Sequence, residues 1–263
     1  MRNILLTISY DGTDFCGWQR QDGLQTVRTV QGALEDALEK IHGSKTILYG
    51  SGRTDSGVHA CAQAANFFSP VESIPLERYP LILNNLLPHD VRVMSAQEVA
   101  ADFNARFSAT SRVYRYFMCA DDVPSASSMR YVWHIKRMPH MQKLNALASC
   151  LRGELDCAAF AASGDASVST NRYIESARFF TQQTQGLFPV GNLVVFEIEA
   201  NAFLWKMVRS ITGTIMQLEK QGAADDALQR ILETHDRKRA GVTAPPHGLF
   251  LWHVKFDGIR RHV

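Results

Sequence analysis

No two cysteines in this chain are spaced as a metal or redox motif. Cys16, Cys61, Cys119, Cys150 and Cys157 are scattered and odd in number, and Cys-x-x-Cys does not occur. That argues against a disulfide framework and a structural zinc site. The nine histidines are as dispersed, without a His-x-x-x-His pair. No metal is expected, and the compartment should be a reducing one. No apolar run approaches the roughly 20 residues a membrane helix needs. The opening Met1-Arg2-Asn3-Ile4-Leu5-Leu6 meets Asp11 too soon for a signal peptide. A cytoplasmic protein without a membrane partner is the expectation. Neither sign of charge dominates: 28 Lys and Arg against 26 Asp and Glu leave +2. Any basic surface must therefore be local. Internal repeats and low-complexity segments are missing as well.

What is present is an ordinary globular composition, with 46% hydrophobic and 21% charged residues over 263 positions. The length suits one large domain or two halves with a shared interface. Ile4 to Tyr10 is β-branched and ends at the turn pair Asp11-Gly12, as a strand does. Val30, Leu34, Ala37, Leu38 and Ile41 keep helical spacing behind Thr29, a capping residue. Further strands are expected at Thr46–Tyr49, Gln63–Phe68 and Val91–Met94, with a helix opened by Pro75 and stopped at Pro88. Later strands fall at Val113–Cys119, Tyr173–Thr181, Leu193–Ala200 and Leu249–Phe256, the middle pair joined through Gly186 and Gly191. Helices are expected at His140–Leu151, Phe203–Leu218 and Asp225–Glu233. The mixture lacks strict βαβ alternation, so the fold class is α+β with a largely antiparallel sheet. The boundary lies near Asn104, giving an N-terminal α+β half over 1–105 and a C-terminal α+β half over 106–263.

The most informative stretch is Gly50-Ser51-Gly52-Arg53-Thr54-Asp55-Ser56-Gly57-Val58-His59-Ala60. It lacks the third glycine of a dinucleotide fold and the Lys-Ser or Lys-Thr of a phosphate loop. Asp55-Ser56-Gly57 has the form of the aspartic protease tripeptide, but that chemistry needs two carboxylates sharing a proton, and the tripeptide occurs once. Arg53 would moreover keep Asp55 ionised. A single charged carboxylate suits nucleophilic or general-base work. The ordinary alternative is an aspartate that caps a turn, so Asp55 is singled out by its company.

That company includes Phe103–Ala120, which contains no Asp or Glu but carries Arg106, Arg112, Arg115, Phe107, Tyr114 and Tyr116. On a strand, Arg112, Tyr114 and Tyr116 share one face. Arginines beside stackable rings suit a polynucleotide, although a core strand with outward arginines would also show them. In the helix after Phe203, the stripe Leu204, Met207, Val208, Ile211, Ile215 and Leu218 leaves Arg209 on the opposite side, near Trp205 and Gly213. Arg209 is then either a solvated arginine or part of a cleft wall.

Taken in order, these segments resemble the bacterial tRNA pseudouridine synthase A family over nearly the whole chain. The resemblance rests on Tyr10-Asp11-Gly12-Thr13 with Gly17-Trp18-Gln19-Arg20-Gln21, Gly52–Ala60, Phe103–Tyr116, Asn201–Arg209 and Thr243-Ala244-Pro245-Pro246-His247-Gly248-Leu249. It implies two ferredoxin- or RRM-like halves with sheets meeting at a central basic cleft, and a homodimer gripping tRNA. The implied reaction is isomerisation of uridine to pseudouridine at positions 38, 39 and 40, on the 3′ side of the anticodon stem-loop. Asp55 would be the nucleophile, Tyr114 would stack on the uracil, Arg209 would pair with Asp55, and Arg53 would fill the space of the flipped nucleotide. Gln19, Arg20, His59, Arg106 and Arg112 would contact the RNA. The reaction moves no electrons or groups overall, so no cofactor is expected. Whether Asp55 attacks base or sugar, or only takes a proton, stays open at this point. Gly153-Glu154-Leu155-Asp156-Cys157 departs from the family's usual His-Asp-Phe there. Two other readings share parts of the pattern: a non-catalytic RRM-type RNA-binding module, and a dimeric aspartic protease.

Overall fold

A computed structural model describes residues 1–21, 27–121, 123, 125–183 and 192–261. The chain divides into two compact units, Met1–Thr110 with Phe250–Gly258, and Ser111–Leu249 with Ile259–Val263.

In the first unit the strands β1 (Arg2–Tyr10), β2 (Tyr49–Gly50), β3 (His59–Ser69) and β4 (Val91–Val99) alternate with the helices α1 (Val30–His42) and α2 (Arg78–Leu86). β1 lies between β4 and β3, antiparallel to both, and β2 is antiparallel to β3. The last strand of the chain, β10 (Leu249–Lys255), returns to lie parallel to β3, with Phe250 opposite His59. Ile4, Leu6 and Ile8 alternate onto one buried face of β1. On that face Phe67 of β3, opposite Ile4, meets His42 of α1 and Tyr79 of α2 at 5.7 Å between ring centroids. Thr29 caps α1 as expected, its hydroxyl accepting the Gly32 N–H. Leu87, held extended before Pro88, ends α2. The strand expected over Thr46–Tyr49 shrinks to Tyr49–Gly50. Leu48 gives its N–H to the Glu35 carboxylate and its carbonyl to Gln31, so α1 side chains take the bonds a ladder would use.

The second unit runs β5 (Ser111–Cys119), β6 (Trp133–His134), α3 (Met141–Ala148), β7 (Gly153–Asp156), β8 (Asn171–Gln183), β9 (Asn192–Ala200), α4 (Met207–Lys220) and α5 (Ala227–Glu233). β5, β9, β8 and β7 form an antiparallel ladder in that order, and β6 adds parallel to β5. The expected link through Gly186 and Gly191 lies outside the described residues. Phe179 and Phe196 stack at 4.5 Å in the core. β7 was too short and polar to stand out in sequence. Each unit also caps the unpaired edge of one strand with a helix asparagine. Asn84 of α2 bonds both N–H and C=O of Val93, and Asn145 of α3 does the same to Phe179, blunting exposed ladder edges.

The helix expected from Phe203 begins at Met207 instead. Trp205 gives its N–H to the Asp165 carboxylate and its carbonyl to Ala162, and Lys206 takes left-handed φ 60°. The backbone of that would-be first turn is thus bonded elsewhere.

Candidate active site

Asp55 sits half-buried in the loop between β2 and β3, and both flanks of that loop are held. On the β3 side, Gln63 accepts from the Ser51 hydroxyl at 2.7 Å and donates to the Gly52 carbonyl at 3.0 Å. On the other side, the Trp18 N–H donates to the Thr54 carbonyl at 3.1 Å, and the Ser56 hydroxyl to the Phe15 carbonyl at 3.1 Å. The Thr54 hydroxyl shares a buried 2.7 Å hydrogen bond with the Tyr10 hydroxyl. Asp55 opens a four-residue turn closed by the Val58 N–H on its carbonyl at 3.1 Å. The residue carrying the carboxylate is therefore fixed through its neighbours.

The 15–20 segment that grips this loop is itself seated on α1. The Val30 and Gln31 N–H groups, unsatisfied donors of a helix start, bond the Gly17 and Trp18 carbonyls at 3.3 and 3.0 Å. Arg20 donates its N–H to Gln31 and its guanidinium to Glu35 and Asp36, at 3.3 and 3.0 Å. Gln19 accepts the Arg53 Nε at 3.1 Å, so these two candidate residues meet, and Arg53 is otherwise on the exposed side of the loop. His59 is fully buried, stacked on Phe250 at 4.6 Å. Its Nδ1 accepts the Gly12 N–H at 3.0 Å and lies 3.2 Å from an Asp11 carboxylate oxygen. Gly12 cannot carry a side chain, since a Cβ would lie 2.0 Å from the Val58 carbonyl oxygen. His59 thus holds the Asp11-Gly12 turn against the Asp55 loop. Arg106 lies on an exposed turn ahead of β5, its guanidinium 5.6 Å from the centre of the Phe107 ring. The Asn104 carboxamide shapes that turn by accepting the Arg106 and Phe107 N–H groups.

Arg112, Tyr114 and Arg209 belong to the second unit. Tyr114 is buried on β5 with its ring edge-on to Phe203 at 5.0 Å. Arg112, on the same face, is also buried and donates to the Asn201 carbonyl at 2.7 Å. The side of α4 that carries Arg209 is covered by residues 241–245 of the same unit. The Arg209 Nε donates to the Ala244 carbonyl at 2.8 Å, and the Ala244 N–H returns a bond to the Arg209 carbonyl at 3.1 Å. Tyr116 is fully buried and donates to the adjacent Pro245 carbonyl at 2.7 Å. Burial pushes the Tyr116 phenol far above its ordinary pKa, the nearby Arg209 charge opposing this. Burial likewise lowers the His247 pKa, the Arg209 charge adding to it and a Val132 backbone bond opposing.

Sequence reasoning did not assign roles to Tyr10, Tyr116 or the 243–245 segment. A signal for the packing of the 241–245 segment was Gly213 inside a helix, where glycine costs roughly 1 kcal/mol against alanine. A Cβ there would lie 1.9 Å from the Val242 carbonyl oxygen, which is the contact that demands glycine. Among the described residues no three His, Cys, Asp or Glu side chains are grouped to hold a metal, and no helix is long and apolar enough to cross a membrane.

Comparison with known proteins points one way. A family profile described as tRNA pseudouridine synthase matches residues 6–108 and 147–257. The chain is 52% identical over 257 residues to tRNA pseudouridine synthase A of Treponema denticola, covering 97% of this chain and 93% of that protein. It is 47% identical over 249 residues to the Treponema pallidum protein of that name, covering 94% and 85%. For that of Brachyspira hyodysenteriae the figures are 40% over 251 residues, covering 95% and 96%. With most of its length matched by the family and by these relatives, the chain belongs to the tRNA pseudouridine synthase family.

Proposed function

We propose that this chain isomerises uridine to pseudouridine in tRNA, on the 3′ side of the anticodon stem-loop, with Asp55 as nucleophile. Pseudouridine synthases are isomerases, and membership of that family supports the reading. The N1–C1′ bond breaks, the uracil turns, C5 bonds to C1′, and the C5 hydrogen leaves as a proton while N1 gains one. The target base first leaves its stack, at a cost of a few kcal/mol that phosphate and stacking contacts offset. Tyr114 stacks on the flipped uracil, Arg209 pairs with Asp55, and Arg53 occupies the space the nucleotide vacates. Gln19, Arg20, Arg106 and Arg112 contact the RNA, with His59 acting behind the loop. The protein works as a cytoplasmic homodimer whose two ferredoxin-like halves line a basic cleft. The order β1-α1-β2-β3-α2-β4 with β4-β1-β3-β2 antiparallel pairing supports that description of the first half.

The observation that carries the proposal is the Asp55 loop, clamped on both flanks by Gln63 and by Tyr10 and Trp18. The test is tritium release from unmodified tRNA labelled at uridine C5, with no added metal. Wild type should release tritium, and Asp55→Asn should not. A wild type that releases none removes the enzyme reading; an Asp55→Asn variant as fast as wild type removes the role given to Asp55.

A further inference from the structure

Trp205 is 46% exposed, whereas Trp18, of the same size, is 2% exposed. Leaving an indole open forgoes hydrophobic stabilisation, yet the loop that presents it is firmly held. The Trp205 carbonyl accepts the Ala162 N–H at 2.9 Å, and its N–H is bonded to the Asp165 carboxylate. Asp165 also accepts the Ser167 N–H at 2.8 Å, which fixes the carboxylate. The next residue, Lys206, takes φ 60° and ψ 10°, a left-handed conformation that is costly for a residue with a β-carbon. Backbone strain of this kind persists where surrounding structure enforces it, and it collects at ligand clamps. Here it accompanies an ammonium held 4.5 Å from the indole centre. Phe203, two residues before Trp205, packs on Tyr114, and Arg209 follows four residues after.

We propose that Trp205 and Lys206 form a nucleotide-binding site for the RNA substrate, in which an unstacked base lies on the indole and its phosphate meets the ammonium. The inference rests on the uridine isomerase reading and adds a contact to it. Extruding a uridine strips its neighbours of a stacking partner. A rigid aromatic beside a cation restores stacking without reading sequence, because every base offers a π-face and every nucleotide a phosphate. A protein partner fits less well, since Trp205 is bordered by the Lys206 ammonium, Gly164 and the Asp165 carboxylate.

The test measures affinity for an unmodified tRNA transcript across a salt series. Trp205→Ala should bind about tenfold more weakly, and Trp205→Phe, which keeps a stacking ring, within about threefold of wild type. Lys206→Gln should lower the slope of log affinity against log salt by about one. Because the anchoring bonds of Trp205 run through its backbone, both tryptophan variants should melt with the wild type. Wild-type tryptophan fluorescence should change on RNA binding, and Trp205→Phe should lose part of that change. Trp205→Ala affinity within about twofold of wild type overturns the proposal. So does an unchanged affinity with an altered sedimentation coefficient, which reassigns the indole to a protein contact. If wild type binds RNA through Trp205 but releases no tritium, the isomerase reading fails while the binding site stands.

Discussion

The 2.7 Å hydroxyl pair of Tyr10 and Thr54 supports the residue immediately before Asp55. Removing one partner leaves a buried hydroxyl short of a bond, a loss of about 1 kcal/mol or somewhat more. Tyr10→Phe should therefore lower the melting temperature by about 2–4 °C. By loosening Thr54 it should also cut kcat about tenfold with KM little changed. Steady-state kinetics on tRNA beside a thermal melt checks both; a fall in melting temperature with kcat intact would make the pair purely structural. Asp55 could be picked out from sequence because its neighbours are informative. Its supporter could not, because Tyr10 and Thr54 are 44 residues apart and a tyrosine in a strand is ordinarily core. Arg209 was visible as a charge off the apolar stripe, but its cover by Ala244 was not.

α4 shows how an element departs from its sequence pattern. The apolar stripe predicts a helix with one open side, yet Ser210, Thr212 and Thr214 on the rest of its surface are also buried. Thr212 and Thr214 satisfy their hydroxyls on the carbonyls four residues earlier, at 2.7 Å, and residues 241–244 lie over Gly213 and Arg209. Helix propensity alone would make Gly213→Ala stabilising by about 1 kcal/mol. The approach of Val242 reverses the sign: the variant should lose about 1–3 kcal/mol through overpacking, seen as a lower urea midpoint. A midpoint equal to or above wild type would show that the 241–244 segment yields freely. The late start of α4 has a similar origin, since Asp165 and Ala162 hold the backbone of Trp205. Helix periodicity reports on side chains and carries no information about such competing backbone bonds.

At the scale of the molecule, among the described residues of the second unit, Asp156, Asp165, Glu197 and Glu219 have pKa values lowered from the ordinary carboxylate value. For Glu197 burial pushes upward, but hydrogen bonds from Arg178 and Arg115 outweigh it. For Glu219 the Arg137 fork and the His140 N–H do the same. A carboxyl with a depressed native pKa stabilises fully above its unfolded pKa, and that stabilisation is lost as pH falls through the native value. Melting temperature should hold from neutral pH down to the ordinary carboxylate range and fall below it. The gap between wild type and Glu197→Gln should close over the same acid interval; a gap independent of pH would remove Glu197 from the account. The identities and approximate places of most strands and helices, and the ordered motifs around Asp55, Tyr114 and Arg209, were determined by the sequence itself. Those features arise from periodicity and from neighbours along the chain. The tertiary structure alone decided that β10 returns parallel to β3, that Tyr10 supports Thr54, and that Tyr116 and Arg209 hold adjoining carbonyls of one late segment. The reason is that a bond between residues far apart in the chain depends on how the backbone closes in space, and no local pattern encodes that closure.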